Sequence, residues 1–497
     1  MVNGSVSRGC NKESALEVDA ARRGKLSSAE TYHQHRRRRH REGTGSRRLR
    51  VREHDARTVG ANFADSKRRV ATMTAYRFVH AADIHLDSPL RSLALRDPAL
   101  AEFIGNASRL VFTRIIDLCL EEKVQALLLA GDLYDGDQTS MKTARFLSEQ
   151  LRRLDAAGIE VFIIRGNHDA LSRITKELIL PENVHLFGGR AEAIEIERDR
   201  GGRTIVMHGL SFAKPQATEG LLAKYRPPLD GAINIGLMHT SLGGSPPHDV
   251  YAPCSTSDLL NSGFRYWALG HIHKRSTTEG SCAIVMPGIR QGRDIGESGP
   301  KSVTLASVLD DGSIVLDERI VSLAQFERIS IDPSGAASWP DLVARLETTL
   351  RDAAARSDSD HLVARLAISG TTPMAWNIRR DADLLRTEAE ARAESIGNLW
   401  IEKLEIDCRR RVSIAAGNAD PVEDLRRMMN DEVVGSEGFR AEANDIVNNL
   451  LAQLPPECRR NILPDDAGPS QLVEQLAGDG AEEILARFAA GDPEGAR

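Results

Sequence analysis

Leu127-Leu-Leu-Ala-Gly-Asp-Leu-Tyr-Asp135 is the stretch on which the reading of this chain turns. Taken from one residue earlier, the run Ala126 to Ala130 is too short for a stable helix and apolar throughout. It therefore reads as a central strand of a sheet covered on both faces. Asp132 follows at once, and the carboxyl ends of such strands face a ligand crevice. That position makes Asp132 the candidate bridging carboxylate of a metal centre.

The same arrangement recurs in Phe78-Val-His-Ala-Ala-Asp83-Ile-His85, in Val161-Phe-Ile-Ile-Arg-Gly-Asn167-His168-Asp169, in Ile233-Asn-Ile-Gly-Leu-Met-His239 and in Tyr266-Trp-Ala-Leu-Gly-His271-Ile-His273. One Asp-x-His or His-x-His alone is an ordinary coincidence. Five successive apolar strands that end in metal-type side chains form a joint signal.

Two divalent cations sit about 3.5 to 4 Å apart when a carboxylate bridges them and oxygen and imidazole ligands complete each shell. Asp132 suits the bridge. Asp83 and His85, two residues apart where the chain leaves the pleat, can reach one cation, with His273 completing its shell. Asn167, His239 and His271 can serve the other. Only two carboxylates face the pair, so the centre stays net positive and attracts phosphate. A bridging hydroxide is then expected to attack phosphorus in line. His168 is expected to face the phosphate, either donating a proton to the leaving oxygen or stabilising transition-state charge. Asp169 is expected to hold that imidazole in orientation.

Other conspicuous residues have plainer readings beside the functional ones. Gly288-Ile-Arg-Gln-Gly-Arg293 offers close backbone approach and two guanidiniums suited to phosphate, which makes Arg290, Gln291 and Arg293 candidate substrate-binding residues; an ordinary loop is the alternative. His208 closes a strand and rivals His239. His80 lies inside a strand and reads as a satisfied core histidine. Trp339 and Trp400 read as core of a second domain.

With 497 residues the chain is long enough for two or three folded units. Residues 1–72 hold 18 Lys and Arg against 8 Asp and Glu, a balance of +10; the whole chain stands at −6, which leaves −16 for the remainder. So acidic a body has no broad basic face, and nucleic-acid binding would rest on local patches, bound cations or a partner chain. The 6 cysteines form no Cys-x-x-Cys pair, which fits reduced thiols and a cytoplasmic location. No apolar run is long enough to span a membrane.

In chain order, residues 1–72 read as a disordered basic tail around Arg36-Arg-Arg-Arg39, lacking the apolar core of a secretory signal. A start-site artefact preceding Met73 is one expectation for it, and a nucleic-acid-binding arm is the other. Residues 76–323 alternate strand and helix, with helices near Ala107 to Glu122 (Leu110, Ile115 and Leu118 on one face) and Thr143 to Ala157, and a hairpin around Arg200-Gly-Gly-Arg203. Residues 324–410 read as a small αβ cap in which Ser338 caps a helix opened by Pro340. Residues 411–497 read as an acidic helical region. The fold class is α/β: a mixed β-sandwich flanked by helices, with the αβ capping domain.

Asp83-x-His85, Gly131-Asp132, Gly166-Asn-His-Asp169, His239 and Gly270-His-x-His273 together resemble the ordered motif set of the calcineurin-like metallophosphoesterases. Within them, Ala82-Asp-Ile-His-Leu-Asp87, Met238-His-Thr240, Leu269-Gly-His-Ile-His273 and Pro287-Gly-x-x-Gln-Gly292 resemble the SbcD-type DNA repair exonucleases, above all their YhaO-like branch. The resemblance covers about residues 76 to 410. It implies a dimanganese nuclease (Mg, Fe or Zn being the alternatives) with a small capping domain, acting on DNA, partnered by a coiled-coil, SMC-like ATPase or by a second copy of itself. Asp135 departs from the pattern, standing where several such nucleases carry a histidine that helps position DNA. Ile289-Arg290 departs too, replacing the small residue and proline more usual before Gln291. A DNA exonuclease or endonuclease is thus the leading expectation. A phosphatase or cyclic-nucleotide phosphodiesterase, and a non-catalytic scaffold for nucleic acid or an ATPase, are the alternatives.

Overall fold

The computed structural model describes residues 74–88, 98–134, 140–170, 180–196, 203–215, 219–243, 251–409, 421–454, 463 and 468–488, all within one compact unit, Thr72–Arg497. The basic tail, the Arg200–Gly202 turn and Asp135 lie outside the described residues.

The elements run β1 (Thr74–Ala81), α1 (Pro98–Glu122), β2 (Ala126–Ala130), α2 (Met141–Asp155), β3 (Glu160–Ile164), β4 (Val184–Leu186), β5 (Glu192–Ile196), β6 (Ile205–Gly209), β7 (Ile233–His239), α3 (Thr256–Leu260), β8 (Tyr266–Gly270), β9 (Ser276–Glu279), β10 (Ala283–Met286), β11 (Ser302–Leu309) and β12 (Ile314–Ile320). Then follow β13 (Ala324–Ile331), α4 (Trp339–Arg356), β14 (His361–Thr371), α5 (Ala375–Arg380), α6 (Ala382–Ile396), β15 (Leu399–Arg409), α7 (Pro421–Met428), α8 (Glu437–Gln453) and α9 (Pro469–Phe488).

Two mixed six-stranded sheets, β12-β11-β1-β2-β3-β4 and β5-β6-β7-β8-β10-β9, make the main sandwich. Phe78, Leu128, Phe162, Ile235 and Tyr266 pack between them. Every residue of β2, β7 and β8 is buried, as continuous apolar runs require of strands covered on both faces. Helices α1 and α2 cover the outer face of the first sheet through Phe112, Ile115, Leu147 and Leu151. The expected hairpin is present as the antiparallel pair β5 and β6.

Helix α1 begins at Pro98, well before Ala107, and its phase is set by Leu100, Ile104, Ala107 and Val111. Leu110, placed by sequence on the apolar face, is half exposed for that reason.

The cap is a parallel sheet, β13-β14-β15, with α4 and α6 packed on one face. Ser338 Oγ accepts from Asp341 N, and Pro340 sits in the first turn of α4 as expected. On the other face Phe326, Val363 and Trp400 meet Leu100, Phe103 and Ile104 of α1. Trp400 stacks on Phe103 with ring centroids 5.7 Å apart, so it belongs to the seam between cap and sandwich and not to the cap core. Among the described residues no helix is long and apolar enough to cross a membrane.

Candidate metal centre

Strand register builds the site. β1, β2 and β3 run parallel, with Ala81 opposite Leu129 and Ala130 opposite Ile164, so they end at nearly one level. Asp83 and Asp132 each fall two residues past the end of their strands, and Asn167 three past the end of its own. Beyond the strands the ladder is prolonged by Asp83 N to Gly131 O (2.9 Å), His85 N to Asp132 O (3.0 Å) and Leu86 N to Leu133 O (3.0 Å). The second sheet brings in His239, the last residue of β7, opposite Gly270 of β8, with His271 and His273 following.

The backbone is strained at this place. Asp83, His85, Asp132 and His271 have φ of 48°, 43°, 53° and 104°, a region that costs a non-glycine residue about 1 kcal/mol or more and that clusters at functional sites. Glycines allow the close approach: a Cβ on Gly131 would stand 2.4 Å from His239 Nδ1, and one on Gly166 2.2 Å from Asp132 Oδ1.

Two sets of ligand atoms converge, Asp83 with His85 and His273, and Asp83 with Asp132 and His239, each set lying within 4.8 Å. Asp83 is the carboxylate common to both. Its Oδ1 accepts from His271 N at 2.8 Å, whereas its Oδ2 is buried with no hydrogen-bond partner among the described residues. A buried carboxylate oxygen without a donor is the kind of position a cation satisfies. His239 donates from Nδ1 to Ala130 O (2.9 Å), leaving Nε2 against Asn167 Oδ1 at 3.0 Å and Asp132 Oδ2 at 3.2 Å. Burial disfavours a charged His239 ring, yet the Asp132 and Asp83 carboxylates outweigh it and push its pKa up to about 9. The same field that draws a proton there would hold a metal ion, so the residues fit two divalent cations. His85 is driven well below its ordinary value, chiefly by burial, which keeps it in the neutral form that ligates metals. The His271 ring lies 5.2 Å from that of His239 at the edge of the second set.

His168 is exposed beside the centre, its ring edge-on to His85 at 5.0 Å and its backbone N donating to Asp132 Oδ1 at 3.0 Å. Asp169 does not have the arrangement expected of it. Its carboxylate is fully buried and accepts from Gly166 N (2.6 Å) and Leu133 N (2.9 Å), so it ties together the two loops that carry Asp132 and Asn167. Burial and the nearby Asp132 charge push its pKa up to about 7.

The loop after β10 also departs from expectation. Gln291 is buried and spends its amide on backbone, accepting from Leu323 N and Ala324 N and donating to Ala324 O and Gly292 O. It fastens the first cap strand. Arg290 is 2% exposed and donates to Gly288 O, with its guanidinium in the field of Asp83, Glu297 and Asp132. Arg293 alone is part-exposed, and it pairs with Glu297. Glu297, which sequence reasoning missed, lies 2.7 Å from His273 Nδ1. Burial raises its pKa, but the bonds from His273 and Arg293 prevail and hold it far below the usual carboxylate range. His80 is the satisfied core histidine expected, bonded to Tyr266 Oη and Leu269 O, with burial taking its pKa down to about 3. His208 bonds Asn234 Oδ1 under Phe264 and joins neither ligand set.

The calcineurin-like phosphoesterase family matches residues 76–275, and the middle domain of metallophosphoesterase YhaO matches residues 326–409. The uncharacterized metallophosphoesterase YhaO of Bacillus subtilis is 33% identical over 355 residues, 70% of this chain and 85% of that protein. DNA double-strand break repair protein Mre11 of Methanopyrus kandleri is 25% identical over 41% of this chain and 46% of its own length; the Mre11 of Methanocaldococcus jannaschii is 28% identical over 40% and 51%. The chain thus spans about half the length of these Mre11 relatives. On its length of match to the Bacillus protein, with both family domains in order, the chain belongs to the YhaO-type calcineurin-like metallophosphoesterases.

Proposed function

We propose that this metallophosphoesterase is a manganese-dependent nuclease that hydrolyses DNA phosphodiesters. The observation that carries the reading is the pairing of buried ligands with an open face: Asp83, Asp132 and His239 are buried, whereas Asn167, His271 and His273 are half-buried and His168 is exposed. A phosphate borne on a long backbone can reach such a face without being engulfed. Two Mre11 relatives named for DNA double-strand break repair support the substrate class.

Asp83, His85 and His273 would hold one cation, and Asp132, Asn167, His239 and His271 the other; Asp83 is common to the two converging sets, and Asp132, whose charge acts on both His239 and His85, would be the carboxylate shared between the cations. Bound there, the cations would neutralise phosphate charge and acidify a water nucleophile. His168 stands on the solvent side, where it can give its proton to the departing oxygen. Asp169 keeps the Asn167 and Asp132 loops in place through Gly166 N and Leu133 N.

The test compares the purified chain with Mn, Mg or no metal on end-labelled linear DNA and on a chromogenic phosphodiester. Metal-dependent shortening of DNA is expected. Hydrolysis of the small ester with DNA left intact would make the protein a small-substrate phosphodiesterase, and inactivity on both would refute catalysis.

A further inference from the structure

His273 is held from behind. Its Nδ1 lies 2.7 Å from Glu297 Oε1, while its Nε2 lies 3.3 Å from His85 Nε2, on the side where Asp83 and His85 converge. An ionised carboxylate only accepts hydrogen bonds, so at 2.7 Å the imidazole must present Nδ1–H to it. A bare Nδ1 would set lone pair against lone pair. Arg293 Nη2 also stands 3.3 Å from Nδ1, but the shorter contact to the carboxylate decides the tautomer. In the neutral ring, the form that ligates metals, Nε2 then keeps its lone pair.

Glu297 is itself fixed. Arg293 donates to it from its backbone N (2.9 Å), Nε (3.3 Å) and Nη2 (2.8 Å). It ends the short 3-10 turn Ile295–Glu297, whose start is closed by Asp294 Oδ1 accepting from Gly296 N at 2.8 Å. Its side chain is 15% exposed, so solvent competes little for the bond to His273. Next along the chain, Gly299 N donates to Phe326 O of β13 at 2.9 Å, which anchors the turn to the cap.

We propose that Glu297 is the positioning residue of His273, fixing its Nδ1–H tautomer and ring plane so that Nε2 is presented to the divalent cation shared with Asp83 and His85. This rests on the dimetal reading above. Carboxylates behind ligand imidazoles raise ligand basicity and hold the ring in orientation, and losing one commonly weakens metal binding about 10- to 100-fold.

The experiment uses the full chain labelled with ring-15N histidine and stripped of metal. Long-range 1H–15N spectra, with His273 assigned by its disappearance in His273→Gln, are expected to report an Nδ1–H tautomer in the wild type. In Glu297→Ala that signal is expected to move toward Nε2–H. Calorimetric titration with Mn2+ is then expected to give Glu297→Ala about 10- to 100-fold weaker binding at one of two sites and unchanged binding at the other. Glu297→Gln keeps the acceptor oxygen without the charge, and is expected to retain the tautomer and lose less affinity. An Nε2–H tautomer in the wild type, or wild-type Mn2+ affinity at both sites of Glu297→Ala, overturns the proposal. If Glu297→Ala does not fold, Glu297→Gln decides: a small loss confined to one site supports the proposal, and equal loss at both sites, or none, overturns it. A wild type that binds no Mn2+ refutes the dimetal reading instead, and the tautomer spectrum still judges Glu297.

Discussion

Replacing Gly166 by alanine adds one methyl group at the centre of the site. Gly166 has no positive φ, so alanine brings no backbone strain there, and every consequence comes from contact. Its Cβ would stand 2.2 Å from Asp132 Oδ1 and 2.7 Å from His239 Cε1 and Nε2, where real contacts stay above 3.0 Å. The Asp132 oxygen must therefore retreat by about 0.8 Å, several times the roughly 0.2 Å latitude of a metal–ligand bond. Neither neighbour yields easily, because Asp132 Oδ1 accepts from His168 N and His239 Nδ1 is bonded to Ala130 O. Overpacking of this kind costs about 1–3 kcal/mol, or a fall of about 1–3 °C in Tm for a unit of this size. The decisive assay is a thermal melt with and without Mn2+, together with elemental analysis. Wild type is expected to gain about 2.7 kcal/mol of stability at a hundredfold excess of cation over Kd, and Gly166→Ala to gain little and to retain less metal. Gly105→Ala is the control: among the described residues nothing beyond its own helix backbone lies within 4 Å of its Cβ, and it sits inside α1, so it is expected to stabilise by about 0.8 kcal/mol. A Gly166→Ala protein that keeps both cations and full turnover would refute the placement of Asp132 and His239 at the metal centre.

Four further outcomes are expected. Asp132→Asn is expected to abolish turnover and lower occupancy of both cations by metal analysis, since it removes a charge that acts on both His239 and His85; two metals held at wild-type affinity would dismiss Asp132 as the bridge. His168→Ala is expected to keep both cations while losing about 10²- to 10⁴-fold in rate on DNA, and less on a p-nitrophenyl ester whose leaving group needs no proton; equal losses on both rule out proton donation. Arg109 clamps Asp87 from Nε (2.7 Å) and Nη2 (2.5 Å), and despite the opposing effect of burial these bonds lower the Asp87 pKa below 3.8. A depressed carboxylate stabilises the fold above its unfolded pKa and ceases to do so as pH falls through the lower folded value, so Arg109→Ala is expected to cost about 1–2 kcal/mol at neutral pH and progressively less below about pH 4 in urea melts; a pH-independent cost would contradict the pairing. Gln291→Ala strands two buried backbone amides and is expected to destabilise by about 2–4 kcal/mol without changing DNA affinity, and a selective loss of DNA affinity would restore it as a substrate residue.

The strands that carry the centre were legible because their burial is total: β2, β7 and β8 hold no charged residue, and of polar amides only the buried Asn234, until the chain emerges at Asp132, His239 and His271. Where each ring and carboxylate turns was not legible. Asp169 has the chemistry to orient His168, yet it is fully buried and faces two backbone amides instead. Arg290 and Gln291 look like phosphate contacts in a glycine-rich loop, and only packing against Leu323 and Ala324 shows the loop folded inward. Glu297 lies in a short turn with no hydrophobic period to mark it; its one local signal is the spacing of four from Arg293. Leu110 does not mark the start of α1, because Leu100 and Ile104, a turn or more earlier, set the buried stripe.

Asp83, His85, Asp132 and Asn167 project from the first sheet, and His239, His271 and His273 from the second. Any pair of cations they hold is therefore a rivet across the seam of the sandwich, set at one end only. Chelation is expected to let the two sheets part like a hinge, with amide exchange quickening around Gly131 and Gly270 while the opposite end, where Arg265 Nη2 donates to Gly312 O across the seam at 3.1 Å, stays closed. The protein's resistance to being pried open would then be a property of metal supply as much as of its core.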